Sequence, residues 1–352
     1  MIRAMTHSRQ FDGPATAATA RVHLSALRRL PAILDDLGVQ IQPLLESLGL
    51  QAADFEDLER TASFRDLDAL IGASVQLSRC PHLGLLLGRT ITLQSLGLPG
   101  RLAGTAPTVG AALQSMTRSF LLHDSGAGVS VAVSNRVATL SYGIHATGLH
   151  NSDQIYDLGA AAMLNVMQQL CGADWRAEVV LLPRRRPAAV RVYRDLLQAP
   201  IRFDSVQSSV SFPAHLLELE APGADALLHA ILRDRVRSAI DVADTSLPTE
   251  VRRAIRSSLQ LADFSRAEVA RQLGLHPRTL VRRLARAGTN FQALLDETRT
   301  EVAKQLLHDT RAPVSRISLA MGYRDPSVFS RAFHRWTGYT PRAFRDLSGR
   351  NR

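Results

Sequence analysis

The chain has little lysine, little cysteine and no long apolar stretch. Lys304 is the only lysine among 352 residues, and Cys80 and Cys171 are the only cysteines. The two cysteines lie far apart, with no CxxC pair and no Cys/His cluster beside either. Zinc ribbons and disulfide scaffolds need such clusters, so both classes are excluded. We predict two buried thiols and no metal site.

No stretch approaches the roughly 18 consecutive apolar residues that a membrane-spanning helix needs. Residues 1–13 also lack the apolar segment of a secretory signal. We therefore expect a soluble, cytoplasmic protein that has no membrane partner. Hydrophobic residues at 45% and charged residues at 21% are typical of a globular chain and exclude a disordered polyelectrolyte. The length favours two or three domains, since one domain usually spans about 100 to 200 residues.

Motifs of catalysis are also lacking. The chain contains no GxSxG, GxGxxG, P-loop or HExxH motif. His145 and His150 are five residues apart, which does not place them on one helical face, and no nearby cysteine completes a metal site. Asp153 and Asp157 share a predicted helical face, but no other functional group converges on them. We assign no catalytic residue, metal or cofactor, and we predict a solvated turn for the arginines at 184–186.

The positive charge is concentrated towards the carboxyl end. Residues 1–246 contain 22 arginines against 23 acidic residues, whereas residues 247–352 contain 19 arginines and Lys304 against 9 acidic residues. The whole net charge of +10 therefore comes from the last third of the chain. A basic module on a nearly neutral body is typical of a nucleic-acid-binding domain joined to a second domain. Composition leaves open the alternative of a solvated basic surface.

This basic region begins with a pattern of two short helices. Apolar residues recur at helical spacing on both sides of a glycine: Val269, Ala270, Leu273, Leu280 and Leu284. Gly274 interrupts the series, where a left-handed backbone is easy for glycine. The second helix would begin at His276, with Pro277 in its first turn. The pattern predicts a helix-turn-helix unit.

The same pattern recurs 48 positions later, with Gly322 at the turn. Asp325 is a good N-cap and Pro326 a good first helical residue, so this second unit has a better helix start than His276 gives the first. Between the two copies, residues 290–309 carry apolar side chains at helical spacing. They predict one long helix that holds both units in one body.

Two such units within about 100 residues resemble the DNA-binding domain of the AraC/XylS family of transcriptional regulators. The strongest match is ISLAMGYRDPSVFSRAFHRWTGYTPRAFR at residues 317–345, and the first unit, AEVARQLGLHPRTLVRRLARAGTNF, also resembles its counterpart. Family members more often have serine where this chain has His276. The resemblance implies an all-α domain that binds double-stranded promoter DNA, in a protein that contacts RNA polymerase as an activator.

Helical periodicity assigns roles to the residues of the two second helices. Leu280 and Leu284 must face the core of the first unit, and Phe329 and Phe333 that of the second, so the opposite faces turn towards DNA. Trp336 is expected in the core as well. Our candidates for contacts with bases are Arg278, Thr279, Val281, Arg282, Ser327, Val328, Ser330 and Arg331. Our candidates for contacts with phosphates are Arg283, Arg286, Arg324, His334, Arg335 and Arg345.

The first two-thirds of the chain predict a mainly helical α+β domain around a small antiparallel sheet. Helical periodicity marks five segments: 24–37, 64–77, 109–120, 153–171 and 188–197. Alternation of apolar and polar residues marks four strands: 128–134, 137–144, 178–182 and 206–212. The first two form a hairpin that turns at Ser134, Asn135 and Arg136. Residues 97–116, 168–182 and 201–213 resemble the N-terminal effector-type domain of the ornithine-utilisation-regulator subgroup of AraC/XylS proteins. This resemblance implies a domain that senses a small molecule or a partner.

We therefore expect five parts along the chain. They are a disordered tail at 1–22, an effector-sensing or dimerisation domain at 23–243, a linker at 244–250, an AraC-type DNA-binding domain at 251–346 and a tail at 347–352. A helix at 222–242 would pack on its own domain or form the seam of a homodimer. The fold class is mainly α, with the α+β domain first and an all-α domain of two helix-turn-helix units second.

The function that fits these observations is a sequence-specific transcription regulator whose first domain senses a small molecule. One alternative is a regulator whose first domain only dimerises. Another is an enzyme or DNA-repair protein fused to the same module, but methyl-acceptor repair needs a zinc-bound cysteine cluster that Cys80 and Cys171 cannot provide. An RNA-binding role lacks any RNP or KH pattern.

Overall fold

The computed structural model describes residues 17–242, 246–260 and 265–349. Its helices are α1 (Leu30–Asp36), α2 (Gln42–Ser47), α3 (Phe64–Ser78), α4 (Leu83–Gly88), α5 (Gly97–Gly104), α6 (Val109–Ser119), α7 (Ser152–Cys171), α8 (Val190–Leu197), α9 (Ala226–Val242), α10 (Leu247–Gln260), α11 (Arg266–Gln272), α12 (Pro277–Arg286), α13 (Phe291–Asp309), α14 (Val314–Ala320), α15 (Pro326–Thr337) and α16 (Pro341–Gly349). Its strands are β1 (Arg21–His23), β2 (Thr61–Ser63), β3 (Ala127–Ser134), β4 (Val137–Ile144), β5 (Val179–Leu181), β6 (Ile201–Arg202) and β7 (Ser208–Pro213). None of the described helices is long and apolar enough to cross a membrane.

The strands form two sheets in the first domain. β1 and β2 make a short antiparallel pair, and the larger sheet has the order β3-β4-β7-β5-β6. Every neighbouring pair in the larger sheet is antiparallel except β5 and β6, which run parallel. The expected fold class, mainly α with a small antiparallel sheet, is therefore confirmed. The parallel pair was not expected, because a strand of only two residues has too short a pattern to recognise.

The β3–β4 hairpin turns where the sequence predicted. Ser134 pairs with Val137, which leaves Asn135 and Arg136 as a two-residue loop. Both loop residues have positive φ, 50° and 64°. Positive φ at both positions is the geometry of the type I′ turn, whose twist matches that of the strands.

The predicted helix at 24–37 is divided in the structure. Leu24–Leu27 form a turn of 3-10 helix, and α1 begins only at Leu30. The reason is Pro31, which has no N–H to donate and therefore lies in the first turn of a new helix.

Helix α7 is the centre of the first domain, and α4 packs closely against it. A Cβ atom on Gly84 would lie 2.2 Å from the carbonyl oxygen of Gln154, and one on Gly88 would lie 2.2 Å from that of Leu158. Only glycine allows this approach, because a side chain would collide with the α7 backbone. The close contact fixes α7 beside the sheet that it covers.

A buried ion pair also anchors α7 and corrects our prediction for the arginines at 184–186. Arg184 is 7% exposed rather than solvated. Its guanidinium pairs with the carboxylate of Asp157 and, at 3.4 Å, with that of Asp153, and it lies over the ring of Tyr193. The Tyr193 hydroxyl donates to Asp157 at 2.6 Å. A buried charge needs a partner of opposite charge, and here the two predicted carboxylates provide it.

The second domain contains two separate hydrophobic clusters, one for each helix-turn-helix unit. The first joins α10, α11 and α12 to the start of α13, and the second joins the end of α13 to α14, α15 and the residues that follow. Leu294 and Leu295 of α13 belong to the first cluster, and Leu306 and Leu307 belong to the second. The long helix predicted at 290–309 therefore connects both units.

The structure shifts three of the expected boundaries. Ala17 and Ala20 are buried and β1 pairs with β2, so residues 17–22 belong to the folded domain and not to a tail. Residues 247–250 of the expected linker form the first turn of α10, where Pro248 suits a helix start, and 243–245 lie outside the described residues. Helix α16 extends to Gly349, beyond the expected end at 346, while 1–16 and 350–352 are outside the described part.

Candidate nucleic-acid interface

The two helix-turn-helix units use the same backbone geometry. Gly274 and Gly322, at corresponding turns, have left-handed φ values of 64° and 79°. His276 Nδ1 accepts the N–H of Arg278 at 3.3 Å, and Asp325 Oδ1 accepts the N–H of Ser327 at 2.7 Å. His276 therefore caps its helix, but its hydrogen bond is longer than the one by which Asp325 caps the second helix. A proline follows each cap and begins α12 and α15, the two recognition helices.

The first recognition helix, α12, has one buried and one exposed face. Leu280 and Leu284 are fully buried, as the periodicity predicted. Arg278, Val281 and Arg282 are exposed, and Thr279 is half-buried beside them. All four base-contact candidates of this helix thus lie on its outer face or at the edge of that face.

The second recognition helix, α15, repeats this division. Phe329 and Phe333 are fully buried, whereas Ser327, Val328 and Arg331 are exposed. Ser330 is half-buried, and its hydroxyl donates to the carbonyl oxygen of Pro326 at 2.8 Å, one turn earlier in the same helix. The hydroxyl of Ser330 is therefore occupied as a donor, although its oxygen lone pairs remain acceptors.

Five of the six phosphate-contact candidates are exposed, and one is half-buried. Arg283, Arg286, Arg324, His334 and Arg335 are exposed on or next to the recognition helices. Arg345 differs, because it is half-buried and donates from Nη2 to the carbonyl oxygen of Ala312 at 2.5 Å. This contact holds the end of the domain together. Trp336 is half-buried within the second hydrophobic cluster, as expected of a core residue.

The exposed arginines of the recognition helices have no acidic partner among the described residues. Within the described ranges, no carboxylate oxygen lies within 4 Å of Arg278, Arg282, Arg324, Arg331 or Arg335. Unpaired guanidinium groups on one face attract an anionic partner, and two such helices match the form of a double-stranded DNA reader.

The two domains meet in a contact that the sequence did not predict, which we call the α7–α13 contact. Ser152 Oγ donates to Asp309 Oδ2 at 2.6 Å, and Gln305 Nε2 donates to the hydroxyl of Tyr156 at 3.1 Å. A third bond, from the Arg311 N–H to Asp204 at 2.7 Å, lies nearby. These partners are more than 100 residues apart, so no local spacing could have revealed them.

Arg256 of α10 belongs to this contact and is 7% exposed. Its guanidinium donates to the carbonyl oxygen of His145 and to Gln305 Oε1, both at 3.0 Å. Burial lowers the pKa of Arg256, which nevertheless stays charged because an arginine starts from a pKa above 12. The first domain thus supplies a hydrogen-bond partner to a cation of the DNA-binding domain.

Two family comparisons cover most of the chain. Residues 38–221 match the arabinose-binding domain of AraC transcription regulators, an N-terminal domain, and residues 269–346 match a helix-turn-helix domain. The HTH-type transcriptional regulator VirS of Mycobacterium tuberculosis is 26% identical over 319 residues, which cover 90% of this chain and 94% of that protein. The Ornithine utilization regulator of Pseudomonas aeruginosa is 26% identical over 331 residues, with the same coverage.

A third relative is similar over a shorter stretch. The transcriptional activator NphR of Rhodococcus is 31% identical over 157 residues, which are 44% of each protein. These relatives are transcription regulators rather than enzymes, and the helix-turn-helix match implies DNA binding. The first match alone covers more than half of the chain. The chain therefore belongs to the AraC family of helix-turn-helix transcriptional regulators.

Proposed function

We propose that this protein activates transcription in the cytoplasm by binding promoter DNA with both recognition helices and contacting RNA polymerase. The observation that carries the proposal is that α12 and α15 start with the same turn and each present exposed arginines that form no ion pair with a described residue. Joined by α13, they would lie in successive major grooves, about 34 Å apart on one face of the duplex. Activation is supported by the likeness to the activator NphR.

Arg278, Arg282 and Arg331 are the proposed readers of guanine. The planar guanidinium can donate two hydrogen bonds to guanine O6 and N7, which discriminates against other bases by about 1 to 3 kcal/mol. Thr279, Val281, Ser327, Val328 and Ser330 complete the base-contact set. Arg283, Arg286, Arg324, His334, Arg335 and Arg345 are the proposed phosphate contacts, which set register without reading sequence.

The first domain is proposed to sense a small-molecule effector and pass its state to the second. Ligand control requires an effector that binds two states of the protein with different affinity. The α7–α13 contact supplies a connection through which such a difference could act, because it joins the central helix of one domain to the central helix of the other.

Helix α9 is the proposed seam of a homodimer. Its Leu232 and Val236 are buried against Leu102, whereas Leu227 is 74% exposed and Ile231 is 52% exposed on another face. Apolar side chains one turn apart favour burial by a second helix. We expect Ile231→Glu to convert a dimer to a monomer in analytical ultracentrifugation, whereas Arg191→Glu, at an exposed position of α8, should leave the mass unchanged.

Selection of bound sequences from a random duplex library would test the proposed function. Full-length protein at physiological salt should enrich a two-part motif with half-elements about one helical turn apart. The double variant Arg282→Ala, Arg331→Ala should lose that enrichment. Arg191→Ala, which removes an exposed arginine from the first domain, should keep it. Failure of both the full chain and residues 246–352 to enrich any sequence would contradict the proposal.

A further inference from the structure

The first domain contains a partly open apolar cavity of about 80 Å³ between α6, α7 and the β3–β4 hairpin. Its walls include Leu27, Leu67, Leu113, Phe120, Leu140 and Met163. Well-packed protein interiors leave few voids larger than a water molecule, so a void of this size in the domain expected to sense a ligand is a candidate binding site.

Three polar side chains line the cavity: His123, Asp124 and Tyr142. His123 and Asp124 are both 4% exposed. Asp124 Oδ1 accepts the N–H groups of Gly126 and Ala127 at 2.8 and 2.9 Å, and His123 stacks on the ring of His23. No lysine or arginine is among the described residues that line the cavity. The polar groups are therefore few and sit side by side.

This lining selects against anionic ligands and against sugars. Burial lowers the pKa of His123 to about 3, so the imidazole is neutral and cannot serve as the cation for a carboxylate. A sugar such as arabinose carries several hydroxyls, and most would be buried without a hydrogen-bond partner among the aliphatic walls. One polar group of a ligand, however, would find a partner in His123 or Asp124.

We propose that this cavity binds a small, mainly apolar molecule that carries one hydrogen-bonding group and no negative charge. That the bound molecule then acts as the effector rests on the proposed function; that it binds here does not. An engineered dry cavity of about 150 Å³ accepts benzene, so about 80 Å³ suits a smaller ring or a short aliphatic chain. Met116 and Met163 belong to the lining and can adapt to its shape, because methionine side chains are flexible.

The cavity is connected to the DNA-binding domain through α7. Ile155, Gly159 and Met163 of α7 line the cavity, while Ser152 and Tyr156 of the same helix make the α7–α13 contact. Since a helix is rigid over these few turns, a ligand that moves one end of this segment must move the other.

A second connection runs through the residue that follows Asp124. Ser125 lines a cleft between the two domains, together with Arg252, Arg253 and Arg256 of α10. A ligand that hydrogen-bonds Asp124 would therefore bind next to Ser125, which lines the same cleft as these arginines. Both connections start at the cavity wall and end in the second domain.

Thermal unfolding of the full-length protein with a matched series of cyclobutane derivatives would test the proposal. Cyclobutanol should raise the melting temperature by about 3 to 6 °C at a concentration some tenfold above its dissociation constant. Cyclobutanecarboxylate, L-ornithine and L-arabinose should leave it unchanged. Equal stabilisation by the carboxylate or by arabinose would overturn the proposal.

A variant that fills the cavity would test whether the thermal response arises from binding at this site. Ala162 lines the cavity from α7, so Ala162→Phe should abolish the response to cyclobutanol. The control is Gln114→Leu, which adds an apolar side chain on the exposed face of the cavity-lining helix α6 and should keep the full response. If Ala162→Phe does not fold, Ala162→Leu should reduce the response. A full response in a folded Ala162 variant would show that binding occurs elsewhere and would overturn the proposal.

Measurements of DNA affinity would distinguish a failure of this inference from a failure of the proposed function. If cyclobutanol stabilises the protein in an Ala162-dependent way without changing its affinity for the selected duplex, the cavity is a ligand site and effector control is wrong. If a cell-derived small molecule changes DNA affinity equally in wild type and Ala162→Phe, effector control stands and the effector site lies outside this cavity.

Discussion

Single arginines on the recognition helices should contribute to DNA binding in two different ways. Arg282 is exposed on α12 where the base edges would lie, whereas Arg335 is exposed near the end of α15. A base contact distinguishes sequences, while a phosphate contact strengthens binding to all of them. The two side chains therefore allow a direct comparison of the two roles.

We expect Arg282→Ala to relax the preference at one base position, with a loss of about 1 to 3 kcal/mol on the selected duplex. Arg335→Ala should weaken binding to selected and random duplexes alike and lower the slope of log affinity against log salt by about one unit. Fluorescence anisotropy titrations at several salt concentrations would measure both. Our division of roles is wrong if each variant loses the same affinity on both duplexes.

Asp124 gives a pH dependence to the stability of the first domain. Burial raises the pKa of this carboxyl group from 3.8 to about 7. Between those values the folded protein holds a proton that the unfolded chain has already released. The stability that comes from this proton is present at low pH and is lost as the pH rises through about 7.

The free energy of unfolding of the wild type, relative to that of Asp124→Asn, should therefore fall by about 2 kcal/mol between pH 5 and pH 8. Asparagine keeps an oxygen for the N–H groups of Gly126 and Ala127 and does not ionise. His123 stays neutral throughout this range. Urea unfolding of both proteins at each pH would measure the difference, and a difference that does not vary with pH would contradict the prediction.

At the scale of the element, the starts of the two recognition helices differ in strength. The cap bond at α15 is 2.7 Å long and ends on a carboxylate, whereas the bond at α12 is 3.3 Å long and ends on an imidazole. Serine, threonine, asparagine and aspartate are the favoured N-caps, because their short side chains reach the free N–H groups of the first turn.

Asp325→Ala should lower the free energy of unfolding by about 1 kcal/mol, and His276→Ser should raise it by several tenths. Urea-induced unfolding followed by circular dichroism would measure both changes. His334→Ser makes the same replacement at an exposed position in the last turn of α15, far from the N-cap, and should give no stabilisation. A loss of stability in His276→Ser would show that the imidazole caps better than its distance indicates.

The elements themselves were largely predictable, because each depends on local pattern. The β3–β4 hairpin, α7 and both recognition helices follow from period-two or helical spacing, and the boundaries differ by a few residues at most. The division at residues 24–37 was missed because Pro31 stands inside an apolar series that continues on both sides.

At the scale of the whole molecule, we expect the DNA-binding domain to fold by itself. Its two hydrophobic clusters consist almost entirely of its own residues, with Val206 as a contributor from the first domain. We expect residues 246–352 alone to fold and to prefer the same DNA sequence as the full chain. Circular dichroism and anisotropy would check this, with Leu280→Asp as a control that disrupts one cluster. A fragment that folds but prefers no duplex would refute modularity.

The arrangement of the two domains was beyond the reach of sequence pattern. The outward faces of α12 and α15 followed from helical periodicity, because a helix with one apolar face has only one way to pack. The burial of Arg184 and Arg256 did not follow, because their partners come from distant segments and an isolated arginine is usually exposed. The cavity could not be predicted either, because it depends on how side chains of several elements pack and leave a space between them.

Helix α13 also sets the rotational phase between the two recognition helices. It has 19 residues, about 28 Å of helix, and anchors one unit at Leu294 and the other at Leu307. One residue added between these anchors would turn the second unit by about 100° relative to the first, whereas seven would restore its orientation to within about 20° and displace it by about 10 Å. If both recognition helices bind one operator, the spacing of its two halves is therefore set by the length of α13, which carries none of the proposed base contacts.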